Sequence, residues 1–141
     1  MHVFDKMNQQ AASWIKGMMA RLNTEDDDKA MHALRAGLQA LRDRLPVDEA
    51  AQLAAQLPLI IRGMFFEGWV PRDKPLRIRH REDFLDLVRE KYGRDDAAAA
   101  DIVVAMFHVL EDHVSRGEIT DVMMSLPREL VDLISPRERD V

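Results

Sequence analysis

The chain contains no cysteine. That excludes thiol catalysis, disulfides, Fe–S clusters and zinc sites built on thiolates. A chain without covalent staples suits a reducing cytoplasm, the expected compartment. No run approaches the ~18 apolar residues of a membrane span, and Met1-His2-Val3-Phe4-Asp5 is not a basic stretch leading into an apolar one, so neither a membrane segment nor a leader is expected. Positive charge is in deficit, with 20 basic against 25 acidic residues and a net charge of −5, which argues against general affinity for nucleic acid or anionic membrane. Period-two alternation of β-branched residues is absent as well, so no strand is expected.

What remains is helical. The 141 residues, 47% of them hydrophobic, are enough for one domain with a core of its own. Phe4, Met7, Ala11, Trp14, Ile15, Met18 and Leu22 recur at three- and four-residue steps, the stripe that an amphipathic helix buries. Gly17 weakens that helix without breaking it. Thr24 is the expected N-cap of the next helix, with Glu25 to Asp28 supplying its first-turn acids and Leu34, Leu38, Leu41 and Leu45 its stripe. Pro46 breaks the chain there. A third helix follows, on Ala50, Leu53, Ala54 and Leu57, and after Pro58 a short fourth one carries Ile60, Ile61, Met64 and Phe65. Two prolines and a glycine make residues 67–81 a connector. Helix resumes with Phe84, Leu87, Val88 and Tyr92 and stops at Gly93.

The chain also repeats. Displaced by 69 residues, its second half overlays the first: Asp26-Asp27 on Asp95-Asp96, Asp43 on Asp112, Glu49 on Glu118, and Leu57-Pro58 on Leu126-Pro127. Apolar positions keep the register, as in Leu38 with Phe107 and Phe65 with Ile134, and one inserted residue brings Trp14 over Phe84. Ser115 and Glu118 have capping-box spacing, whereas Pro46 takes the serine position of the first copy. The expected fold is therefore all-α: a compact helical bundle of two tandem, duplicated multi-helix repeats with pseudo-twofold symmetry, forming a single domain over 1–141. Repeat one covers about 3–66, the basic, proline-containing connector 67–81, repeat two about 82–135, and a short charged tail 136–141.

Three stretches resemble a known family. They are Arg44-Leu45-Pro46-Val47-Asp48-Glu49-Ala50-Ala51-Gln52-Leu53-Ala54-Ala55-Gln56-Leu57-Pro58, Arg62-Gly63-Met64-Phe65-Phe66-Glu67-Gly68-Trp69, and Gly117-Glu118-Ile119-Thr120-Asp121-Val122 leading to Leu126-Pro127. Together they are similar to a bacterial family of uncharacterised proteins, domain of unknown function 2267, over roughly 25–135. The resemblance implies a small helical bacterial domain and brings no catalytic residues with it.

Chemistry-bearing residues are sparse. His2, His32, His80, His108 and His113 are scattered; His108 and Asp112 share a helix face, but a metal site needs three or four ligands, so no metal or cofactor is assigned. The duplicated acids Asp43/Asp112 and Glu49/Glu118 read as ion-pairing and capping groups. The serines lie on no nucleophile elbow and no glycine-rich phosphate loop exists. No catalytic residue is named, and the reading leans against an enzyme. Two local features stand out. Met64, Phe65, Phe66 and Trp69 form an apolar run that is either the seam between the repeats or a surface for a protein partner or a second copy, making a homodimer the rival to a buried seam. Arg72, Lys74, Arg77, Arg79 and Arg81 face Asp73 alone, a net +4 that leaves −9 on the rest of the chain. Such a segment could grip phosphate or an acidic partner, although no aromatic interleaves it to stack on bases. The expected function is a non-catalytic cytoplasmic interaction module; nucleic-acid or acidic-partner binding through 72–81, and a small-molecule or enzymatic site between the repeats, are the alternatives.

Overall fold

The computed structural model describes residues 2–135, so the tail 136–141 lies outside the described residues. Eight helices follow one another: α1 (His2–Leu22), α2 (Asp27–Arg44), α3 (Val47–Ala54), α4 (Leu59–Phe66), α5 (Arg81–Tyr92), α6 (Ala99–His113), α7 (Arg116–Met124) and α8 (Arg128–Ile134). The described residues contain no strand. The helix breaks fall where backbone chemistry places them. Pro46, Pro58 and Pro127 precede the first turns of α3, α4 and α8, where a missing N–H costs no helical hydrogen bond. Gly93 ends α5 at φ 65°, a left-handed backbone that glycine adopts without strain. One cap differs from expectation. The N-cap of α2 is Asp26, whose carboxylate accepts the Lys29 N–H, while the Thr24 hydroxyl accepts the N–H of Asp26 one step upstream.

The centre is the pair α2 and α6. Leu34, Leu38 and Leu41 of α2 and Ile102, Met106 and Leu110 of α6 are all at most 1% exposed. The two backbones approach so closely that a Cβ on Gly37 would lie 3.0 Å from that of Met106. Around this pair, α1 packs on α2, α6 and α4, α5 packs on α2, α6 and α8, and α3 meets α7. Gly17 of α1 has a packing reason of its own, since a Cβ there would come within 3.1 Å of Val109.

The C-terminal end of α2 ties the connector in place. Arg42, 2% exposed, donates from Nε to Asp43 Oδ1 at 2.8 Å and from one terminal nitrogen to the carbonyls of Phe65 and Glu67, both at 2.9 Å. Those carbonyls belong to the last turn of α4, which leaves such groups without helical partners. Lys91 of α5 reaches the other Asp43 oxygen at 2.9 Å. The Asp43 carbonyl accepts the Leu76 N–H at 2.8 Å, and Arg44 donates to the Ile78 carbonyl at 2.5 Å.

Candidate functional site

The apolar run that the sequence singles out sits at the last turn of α4. Phe65 is fully buried, whereas Met64, Phe66 and Trp69 are half-buried and packed against the core. Phe66 lies edge-on to Phe65 and stacks on Trp69, with ring centres 5.4 and 5.2 Å apart. The buried Trp69 indole nitrogen has no acceptor among the described residues. The large apolar side chains that face solvent lie elsewhere: Val3 (59% exposed) and Phe4 (53%) on the first turn of α1, Leu59 (57%) and Ile60 (41%) on the first turn of α4, and Val70 and Met124. Residues 2–10 of α1 are exposed throughout apart from a half-covered Met7, and burial begins in earnest at Trp14. There α1 lies along the turn before α4, where Gln10, Ser13, Trp14, Leu57, Pro58 and His113 line an open cleft of about 340 Å³. His113 stacks on Trp14, accepts from the Ser13 hydroxyl at Nε2 and bonds the Val109 carbonyl through Nδ1.

The basic connector wraps the same end of α2 that Arg42 anchors. Arg72, Arg77 and Arg79 are exposed and Lys74 and Arg81 half-buried. None of the five has a carboxylate within 4 Å among the described residues, whereas Arg21, Arg35, Arg42 and Arg89 on the helices and Arg94 in the loop after α5 are each paired. Burial, and then repulsion from Arg79, lowers the pKa of Arg44 beside it, so two guanidiniums share one small area. The connector ends on His80, which meets Glu129 of α8 at 2.8 Å, while the other Glu129 oxygen accepts the Arg81 N–H and so caps α5 from outside.

The acids that the 69-residue offset equates part ways. Asp43 is buried against Arg42 and Lys91, whereas Asp112 is exposed and pairs with Arg21 at 3.7 Å. His108 turns to Glu111 at 3.4 Å, so His108 and Asp112 do not converge. Glu49 and Glu118 do come together, across the α3–α7 contact. Half of the expected capping box forms, the Ser115 hydroxyl accepting the Glu118 N–H at 3.2 Å. The reciprocal half is taken by Gln56, whose amide carbonyl accepts the Ser115 N–H at 2.8 Å and whose nitrogen donates to the Ser115 hydroxyl. Released from capping, the Glu118 carboxyl hydrogen-bonds Glu49. Burial, and then this bond and the Glu49 charge, hold its pKa well above the usual carboxylate range. Asp121, one helical turn on, brings a third carboxylate oxygen, and the three lie within 4.8 Å of one another. The sequence signals the pair through the 69-residue offset that equates Glu49 with Glu118, but Asp121, Gln56 and Lys91 carry no such signal.

No helix among the described residues is long and apolar enough to cross a membrane. No curated protein matches the chain. A family model described as an uncharacterized conserved protein, DUF2267, matches residues 11–133, so this all-helical chain belongs to the DUF2267 family.

Proposed function

We propose that the protein is a non-catalytic helical module that pairs with a second copy of itself, and that its body is a duplicated unit to which the start of α1 has been added. The order of the helices supports the duplication: α1–α4 and α5–α8 each run as two longer helices followed by two short ones split at Leu-Pro. So does their packing. α1 with α6 mirrors α5 with α2, α2 with α4 mirrors α6 with α8, and α1 with α4 mirrors α5 with α8. Residues that the 69-residue offset equates also touch each other, Gly37 with Met106 and Glu49 with Glu118, as happens along a twofold axis.

The observation that carries the functional reading is the overhang of α1. Over α1 the offset is 70, so α5, beginning at Arg81, corresponds to α1 from Ala11 onward. Residues 2–10 have no counterpart in the second unit and precede the family match, which also begins at residue 11. Yet their apolar stripe continues without a break through Val3, Phe4 and Met7, and Val3 and Phe4 stand in solvent. Nine residues of helix extend roughly 14 Å. Two overhangs laid antiparallel bury each other's stripe, and Asp5 beside Lys6 makes the pairing self-complementary in charge. Leu59 and Ile60, exposed on the first turn of α4 just after the turn that α1 crosses, add further apolar surface.

Sedimentation velocity tests this. The wild type is expected at twice its 16.2 kDa mass at micromolar concentration, and Val3→Glu/Phe4→Glu as a monomer with the same helical circular dichroism. A wild type that stays monomeric at high concentration, or a dimer that survives the double substitution, rejects the reading. A second reading rests on the unpaired cations of the connector, which suit an acidic protein segment better than nucleic acid because no aromatic stands among them. It requires salt-sensitive retention on a polyglutamate matrix that Arg77→Ala/Arg79→Ala abolishes; absence of retention at low salt ends it.

A further inference from the structure

The carboxylates of Glu49, Glu118 and Asp121 gather at one point with no counter-ion among the described residues: no Lys, Arg or His pairs with any of the three, whereas Asp28, Asp43 and Asp112 at other helix ends each have such a partner. Like charges at this spacing are costly, and helix termini relieve only part of the cost: Glu49 and Glu118 stand in the first turns of α3 and α7, near positive dipole ends. A second observation is independent of the charge count. Glu118 is 6% exposed, and its Oε2 is buried with no donor from outside the group, as is Oε2 of Glu49. Both oxygens are withdrawn from water, and the two carboxylates meet that of Asp121, which is exposed, across the α3–α7 contact. The Ser115 hydroxyl and Gln56, which could have supplied donors, are bound to each other.

We propose that Glu49, Glu118 and Asp121 form a binding site for one hard divalent cation of the Ca²⁺ type, lying across the α3–α7 contact. All three donors are carboxylate oxygens, with no imidazole or thiolate among them, and such a set selects hard cations over zinc or copper. Within that class three carboxylates suit Ca²⁺, whose coordination is flexible, better than Mg²⁺, which keeps most of its water and is usually held by one or two carboxylates. One oxygen from each of the three residues fills at most half of the six to eight positions of Ca²⁺, and water reaches the rest from the exposed Asp121 side. Because Glu49 belongs to the first half of the chain and the other two to the second, the bound ion clamps the halves together.

Isothermal titration of the full chain with CaCl₂ at pH 7.5, after dialysis against chelator, tests the site. One Ca²⁺ per chain is expected, with Mg²⁺ weaker, and both Glu118→Gln and Asp121→Asn should weaken Ca²⁺ at least tenfold. The exposed Asp121→Asn keeps the test valid should the buried substitution impair folding, which circular dichroism reports. Calcium should also raise the melting temperature of the wild type and not that of either variant. No saturable heat up to millimolar Ca²⁺ overturns the proposal; binding that survives both substitutions overturns the assignment of the residues.

Discussion

Arg42 stands where four segments meet, so its loss is felt by all of them. Its guanidinium answers Asp43 and two carbonyls that close α4, with almost no access to water. Arg42→Met keeps the aliphatic bulk, deprives the two carbonyls of their donor and leaves Asp43 to Lys91 alone, a loss of about 3 kcal/mol. Urea unfolding should show that loss; a change under about 1 kcal/mol would mean the acceptors find other donors. Tyr92 offers a second check at this scale. It is the only tyrosine, 5% exposed, and its hydroxyl donates to Asp96 at 2.5 Å. Burial, then the hydrogen bond and charge of Asp96, push its pKa up from 10.0 to about 12. The unfolded chain loses the phenolic proton earlier, so this contribution to stability is complete below pH 10 and is lost as the pH rises from 10 to about 12. Absorbance of the phenolate should follow a midpoint near 12 in the folded protein and near 10 in urea. Coincident midpoints would show that Tyr92 does not keep its bond to Asp96.

Two glycines within helices separate what a helix needs locally from what its neighbours impose. A methyl group on Gly63 of α4 would have nothing within 4 Å, so Gly63→Ala brings only the helix preference of alanine, about 0.5–1 kcal/mol of added stability. At Gly37 the same methyl would strike Met106 at 3.0 Å, and Gly37→Ala should destabilise by about 1–3 kcal/mol as α2 is forced away from α6. Opposite shifts in melting temperature are the expected result, and equal ones would mean that the α2–α6 crossing yields. The same contrast governs what the sequence discloses. Helix stripes and proline breaks are legible because their cause lies within a turn or two, and the buried Leu34, Leu38 and Leu41 follow the period directly. The need for glycine at 37 arises from a residue on another helix, and the capping box of α7 is half undone by Gln56 from the turn after α3, so neither can be read from local spacing. The run Met64 to Trp69 is equally ambiguous in sequence, since adjacent aromatics on a short helix do not reveal which of them a neighbouring helix covers; α2 and α1 cover Phe65.

For the whole molecule, what builds the fold separates from what is added to it. The buried core runs from Trp14 to Ile134, whereas residues 2–10 contribute little buried surface. Hydrophobic stabilisation scales with apolar area removed from water. Removal of residues 2–9 from α1 should therefore leave the unfolding free energy of the monomer within about 0.5 kcal/mol of the full chain when both are measured at low protein concentration. At high concentration the two should diverge, because only the full chain gains stability from pairing, and its melting temperature should climb with concentration while that of the shortened chain stays fixed. A large loss at low concentration would place the overhang in the fold itself and remove the ground for treating it as an interface. Fixed melting temperatures for both chains would leave the exposed stripe of Val3 and Phe4 without a second copy to cover it.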